Sequence, residues 1–111
     1  MSKERILWAD DEIDLLKPHI LFLENKGYEV ETVTNGRDAL DALNNQIFNL
    51  IILDENMPGI SGLEALQRIK VLQPNVPVIM ITKSEEENTS IILFGRRMNH
   101  LYHSKLKVLV T

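Results

Sequence analysis

The sequence predicts an α/β domain built on a doubly wound parallel five-stranded sheet, and three observations carry that expectation. Short apolar runs rich in branched side chains recur along the chain, each short enough for a strand and too short for a helix. Stretches with helical spacing of apolar residues separate them at short loop lengths, the pattern of a parallel sheet with right-handed crossovers. Finally, these runs stop abruptly at polar groups: at Asp10-Asp11-Glu12, at Asp54 and at Thr82.

The stretch from Phe48 to Gly62 organises the chain. Leu50-Ile51-Ile52-Leu53 ends at Asp54 and runs into a loop containing Pro58 and Gly59, so a buried strand should deliver Asp54 to the sheet edge. In open parallel sheets the carboxyl ends of the strands form the crevice where ligands bind. Taken alone, an aspartate at a strand end is more often a turn-starter than a reactive group.

The other elements follow in order. Arg5-Ile6-Leu7-Trp8-Ala9 reads as the first strand, ending in acids. From Asp14, taken as the N-cap, Leu16, Ile20 and Leu23 mark a helix face, Pro18 is expected to tighten or kink that helix, and Lys26-Gly27 stops it. Tyr28, Val30 and Val33 mark a second strand, and Asn35-Gly36 opens a helix with Ala39, Leu40 and Leu43 on one stripe. After the organising strand, Ser61-Gly62-Leu63-Glu64 has the form of a capping box before a helix carrying Leu63, Leu66 and Ile69. Val78-Ile79-Met80-Ile81-Thr82 is the fourth strand, and Ser84 to Glu87 forms a second capping box. From Thr89 the texture changes: Thr89 to Phe94 lacks a polar helical face, Gly95 to Asn99 is basic and irregular, and Leu106 to Val110 alternates like a strand. No helical stretch follows it.

Composition narrows the function. The 111 residues suit one domain, residues 1–111, with a single core. A net charge of −4 and 5% aromatic residues argue against a nucleic-acid surface in this chain. Without cysteine there is neither a disulfide nor a thiolate metal site, which fits a reducing compartment. The start Met-Ser-Lys-Glu-Arg has no signal-peptide pattern and no run reaches membrane-spanning length, so a cytoplasmic location is expected.

Asp10, Asp11, Asp54 and Thr82 should converge in one crevice. Carboxylates clustered without histidine or cysteine suit a hard cation that keeps several waters, Mg²⁺ before Zn²⁺. Such a cation would relieve the repulsion among the acids, draw in a phosphate and leave Asp54 able to attack phosphorus. The competing reading of Asp10-Asp11-Glu12 is helix-entry chemistry, since acids favour the positive end of a helix dipole. His100 and His103 could share a helix face as metal ligands, but on a strand they point to opposite faces. Arg96-Arg97 reads as solvated surface.

These residues resemble the receiver domain of bacterial two-component response regulators. The resemblance rests on Asp10-Asp11-Glu12, on Leu53 to Gly59 with Ser61-Gly62-Leu63, and on Val78 to Ser84, in order and at family spacing from Ile6 to Asn88. More narrowly, Ile6 to His19 resembles PorX-type regulators, in which the receiver precedes an alkaline-phosphatase-like domain associated with type IX secretion. The resemblance implies a flavodoxin-like or CheY-like sheet of order 2-1-3-4-5 and a histidine kinase as partner. It implies that Asp54 accepts a phosphoryl group, that Asp11, Asp54 and the backbone carbonyl of Asn56 ligate Mg²⁺, and that Asp10 acts through a coordinated water. The Thr82 hydroxyl would bond a phosphoryl oxygen. Lys105 is the nearest counterpart of the family's lysine in the fifth strand, with the following proline replaced by Leu106. The family's last helix is missing or replaced, so residues 89–111 depart from the pattern as a frameshifted, artificial or truncated part.

Three functions compete. The first is a phosphoacceptor switch with no turnover of an external substrate and with any effector domain absent from this chain. The second is a Mg²⁺-dependent phosphohydrolase with Asp54 as nucleophile, which lacks here the Asp-x-Asp spacing and a cap insertion. The third is a degenerate receiver that acts only in assembly. Without its last helix, part of one sheet face would stay bare, which predicts a homodimer independent of phosphorylation.

Overall fold

The computed structural model describes residues 3–82, with Thr82 by its backbone only, and the backbone course of three later strands, 90–93, 102–103 and 107–110. The elements are β1 (Arg5–Ala9), a 3-10 turn (Ile13–Leu16), α1 (Lys17–Asn25), β2 (Glu29–Val33), α2 (Gly36–Asn45), β3 (Leu50–Asp54), α3 (Gly62–Leu72), β4 (Val78–Thr82), β5 (Ser90–Leu93), β6 (Tyr102–His103) and β7 (Lys107–Val110). Strands β2, β1, β3 and β4 lie side by side in that order and all run parallel.

Alternation of side chains along each strand builds two apolar layers. Leu7, Ala9, Ile51, Leu53, Val78 and Met80 face α2 and α3 and pack with Ala39, Leu43, Ala65, Leu66 and Ile69. Ile6, Trp8, Ile52 and Ile81 form the opposite layer with Leu16, Ile20 and Leu23. Helices thus cover both faces, as the doubly wound reading predicts. The two layers are unequal: α2 and α3 contribute fully buried residues, whereas α1 has none.

Local chemistry sets the element ends. Gly27, at φ +99, closes α1: its N–H bonds Glu24 O at 3.0 Å and the Tyr28 N–H bonds Leu23 O at 3.2 Å, the paired bonds of a Schellman stop. Asn35 caps α2, its side-chain oxygen accepting from the Asp38 N–H at 2.8 Å. Ser61 caps α3, accepting from the Glu64 N–H at 3.1 Å, while the Glu64 carboxylate lies 3.4 Å from Arg68 one turn on.

Two expectations need correction. Asp14 lies within the 3-10 turn and neither that turn nor α1 carries a side-chain cap, so Pro18 falls in the first turn of α1. There its missing N–H has no helical partner to lose, and the tighter 3-10 turn runs directly into the helix. The fifth place in the sheet goes to β7, and it pairs with β4 antiparallel, Ile79 opposite Val110 and Thr82 opposite Lys107. The first four places of the expected 2-1-3-4-5 order therefore stand, and the fifth strand is not parallel. A parallel return needs a crossover of about a dozen residues or more, usually a helix. Here β5 and β6 pair with each other antiparallel, and the chain comes back along β4 from the opposite direction. Among the described residues no helix follows α3.

Candidate functional site

The winding decides where a site can form. From β1 the chain moves to β2 on one side, and β3 then returns to β1's other side, so the strand order reverses between β1 and β3. The carboxyl ends of those two strands flank the crevice that such a reversal opens. Asp10 directly follows β1, and Asp54 is the last residue of β3.

Both carboxylates are 1% exposed. Asp10 extends the ladder with β2 through its N–H on Val33 O at 3.0 Å, and its Oδ1 accepts the Glu12 N–H at 2.8 Å. That side-chain turn carries Asp11 to an exposed position at the mouth of the crevice. Asp54 stands opposite Ile81 on β4; its Oδ1 accepts the Asn56 N–H at 3.3 Å, and the next residue's N–H bonds Ile81 O at 2.9 Å.

One oxygen from each of Asp10, Asp11 and Asp54 lies within 4.8 Å of the others. Two unit charges at that separation repel by about 3 kcal/mol at an effective dielectric constant of ~20, so three ionised carboxylates here would favour a nearby positive charge. The donor set is all oxygen, two ligands buried and one open to water. That fits a hard divalent cation that keeps part of its hydration shell and does not fit zinc. The helix-entry reading of Asp10-Asp11-Glu12 explains less, because the 3-10 turn that follows takes no side-chain cap from them.

The loop after Asp54 is tightly held. Met57 is buried in the layer under α2 and α3, Gly59 takes φ +83, and Ile60 packs against the same layer. The Gly62 N–H bonds Glu55 O at 2.9 Å and closes the loop. A methyl group on Gly62 would sit 2.3 Å from Asp54 O and 2.7 Å from Glu55 Cα, so the start of α3 lies directly on the end of β3. A methyl on Gly36 would meet Ile60 Cβ and Ile60 O, each at 3.3 Å. Sequence reasoning took Gly62 as part of a capping box and Gly36 as a helix opener, and missed both close approaches. The available signal was glycine at the first residue of a helix, where almost any other residue is a better helix former.

Of the expected site residues, Asp10, Asp11 and Asp54 are brought together and Asn56 follows them on the loop. Thr82 ends β4 beside β3, placed by its backbone. Lys105 and the Arg96-Arg97 pair lie outside the described residues, as does His100; His103 is placed only by its backbone in β6.

The response regulator receiver domain family matches residues 6–101, a span that runs past Asn88. A transcriptional regulatory protein of Haemophilus influenzae, a CpxR homolog, is 41% identical over 87 residues, covering 78% of this chain and 37% of that protein. Sporulation initiation phosphotransferase F of Bacillus subtilis is 36% identical over 85 residues, covering 74% of this chain and 66% of that protein. Among solved structures, a CheY-like receiver domain protein of Methanospirillum hungatei superposes with a TM-score of 0.71 at 34% identity, over 77% of this chain and 68% of its own. The response regulator TrrA of Thermotoga maritima, in complex with Mg²⁺ and BeF, gives 0.68 at 36% identity, over 74% and 71%. The fold, the acids at its switch point and these matches define a receiver domain. This chain belongs to the response regulator receiver domain family. It spans little more than a third of the length of the first of these relatives.

Proposed function

We propose that the chain is the phosphoacceptor switch of a two-component system, with Asp54 taking a phosphoryl group from a histidine kinase. The observation that carries this reading is the pair of carboxylates, Asp10 and Asp54, each 1% exposed, beside an exposed Asp11 at the switch point of the sheet. A carboxylate oxygen of Asp54 attacks phosphorus, the phosphorus–nitrogen bond of the donor's phosphohistidine breaks, and the imidazole leaves. Asp11, Asp54 and the Asn56 carbonyl would hold Mg²⁺, with Asp10 acting through a coordinated water. Bound there, Mg²⁺ supplies neutralisation of the charge on the transferring group. Burial of Asp54 excludes water from all but the crevice side, which favours attack by the carboxylate over hydrolysis.

Thr82, at the end of β4, is the residue proposed to bond a phosphoryl oxygen, and Lys105 the one to pair with its charge. The phosphorylated domain would then act on an effector outside this chain, in the cytoplasm and without turnover of an external substrate. The resemblance of residues 6–19 to PorX-type regulators makes type IX secretion the output to test first. The sheet residues under α1 are buried, so it is the exposed Leu21 and Phe22 on α1 itself that support a homodimer formed without phosphorylation, which sedimentation of the unmodified protein checks. Among the described residues no helix is long and apolar enough to cross a membrane.

Intact-mass analysis after incubation with acetyl phosphate tests the central claim. Wild type should gain one phosphoryl mass only with Mg²⁺ present, and Asp54→Ala should gain none. Equal loading of Asp54→Ala would end the assignment of Asp54 as acceptor.

A further inference from the structure

We propose that Gly36, at the start of α2, positions the Asn56 carbonyl for the cation by bracing Ile60. The inference rests on the reading of Asn56 as a backbone ligand and assigns a role to an element that contributes no group to the site.

The loop from Glu55 to Gly62 is fixed at its two ends, by the Glu55 N–H on Ile81 O and by the Gly62 N–H on Glu55 O, both at 2.9 Å. Between these ends its course depends on two apolar anchors, Met57, which is 8% exposed, and Ile60, which packs partly buried against the same layer. Gly59, at φ +83, lies between the anchors and lets the chain reverse, so the height of Ile60 sets where the turn lies. What Ile60 rests on is α2. The position a Cβ would take on Gly36 lies 3.3 Å from both Ile60 Cβ and Ile60 O, and 3.5 Å from Ala65 Cβ on α3. The first turn of α2 is therefore wedged between the loop and the start of α3.

Backbone conformation does not explain the glycine, since Gly36 does not take a positive φ. Helix propensity works against it, because alanine in a helix is favoured over glycine by as much as ~1 kcal/mol. Close approach remains as the reason. Added bulk at Gly36 has to push Ile60 outward by a few tenths of an ångström, and Ile60 O is main chain, so no rotamer change absorbs the push. Buried Ala39 and Leu43 seat α2 on the sheet and oppose its retreat, while the Asn35 bonds with the Asp38 N–H at 2.8 Å and the Asp38 carboxylate at 3.0 Å keep its first turn wound. The displacement passes to the loop and through it to Asn56, whose own N–H is tied to Asp54 Oδ1. Hard cations of the Mg²⁺ kind demand near-ideal octahedral geometry at ~2.1 Å, so a shift of this size at one ligand weakens binding.

The test is Mg²⁺ titration of the full chain, followed by backbone amide shifts and by Trp8 fluorescence, alongside urea unfolding of the metal-free protein. Gly36→Ala should weaken Mg²⁺ binding by about fivefold or more while metal-free stability stays near wild type, because the gain in helix propensity offsets the crowding. Ile60→Ala removes the γ and δ carbons that pin the residue and lets the loop yield. The Cβ and main-chain oxygen that the Gly36→Ala methyl meets are both kept in Ile60→Ala, so the pair should bind Mg²⁺ more weakly than Ile60→Ala does alone. Mg²⁺ affinity of Gly36→Ala within twofold of wild type would overturn the proposal and leave Gly36 a packing residue. Should Gly36→Ala fail to fold, Ile60→Ala alone decides: weaker binding supports the brace, and unchanged binding overturns it. A wild type that does not bind Mg²⁺ would instead sink the metal-site reading on which the brace depends, so the two failures are distinguishable.

Discussion

Replacing Gly62 by alanine sets two physical effects against each other, and the sign of the result decides between them. Judged by helix propensity, Gly62→Ala should stabilise α3 by as much as ~1 kcal/mol. The structure requires the opposite. The new methyl would stand 2.3 Å from the Asp54 carbonyl oxygen and 2.7 Å from Glu55 Cα, whereas a close carbon–oxygen contact is ~3.3 Å. The start of α3 must therefore retreat by about 1 Å from the end of β3. Both obstructing atoms belong to the backbone, so nothing can rotate aside. That retreat stretches the 2.9 Å bond from the Gly62 N–H to Glu55 O beyond hydrogen-bonding range and pulls on the peptide that carries Asp54. Overpacking costs about 1–3 kcal/mol and the lost bond about 1 kcal/mol more, offset by the propensity gain. A net loss of about 1–3 kcal/mol should appear as a lower urea midpoint at unchanged m-value, with phosphoryl loading from acetyl phosphate slowed further than stability alone explains. A Gly62→Ala protein as stable as wild type or more so would show that α3 slides freely on β3, and that the loop is not clamped as argued.

Three further perturbations follow from single contacts. Asp11→Ala should weaken Mg²⁺ binding at least tenfold in an amide-shift titration while leaving metal-free stability equal or higher, because it removes one of three mutually repelling carboxylates and Asp11 is exposed. Lys70 donates to Val76 O at 2.6 Å, and Lys70→Met, which keeps the apolar stem, should cost about 1–2 kcal/mol in urea unfolding. Burial holds the Lys70 ammonium below its ordinary pKa of 10.5, so the folded state binds fewer protons than the unfolded one between the lowered value and 10.5. Wild type should therefore gain stability relative to Lys70→Met as pH rises through that window, and a gap that narrows there would refute the burial argument. Asn35→Ala, which removes the cap on α2, should lower stability by about 1 kcal/mol, read as a fall of several degrees in Tm.

What the sequence made legible is what a single residue type, or the period of apolar residues, can encode locally. The continuous apolar runs Ile6-Leu7-Trp8-Ala9 and Leu50-Ile51-Ile52-Leu53 mark buried strands, and the structure divides their side chains between two layers. The acids at the ends of the same strands are legible for the same reason: a strand is straight, so a polar residue that terminates an apolar run must emerge at the sheet edge. Asp14 was misread as the N-cap because a 3-10 turn and an α-helix share their first few residues' composition. The antiparallel β7 was misread for a different reason: strand propensity in Lys107–Val110 says nothing of direction, which depends on the crossover before it. The two glycines lie between these cases. Gly36 and Gly62 each conflict with the helix they open, and such a local conflict marks a place where tertiary contact overrides propensity. Both conflicts point at one object, the loop after Asp54, with α2 bracing it through Ile60 and α3 closing it on Glu55. The acids supply the charge of the site. In the proposed site, the glycines would set how closely the backbone oxygen of Asn56 is held to it.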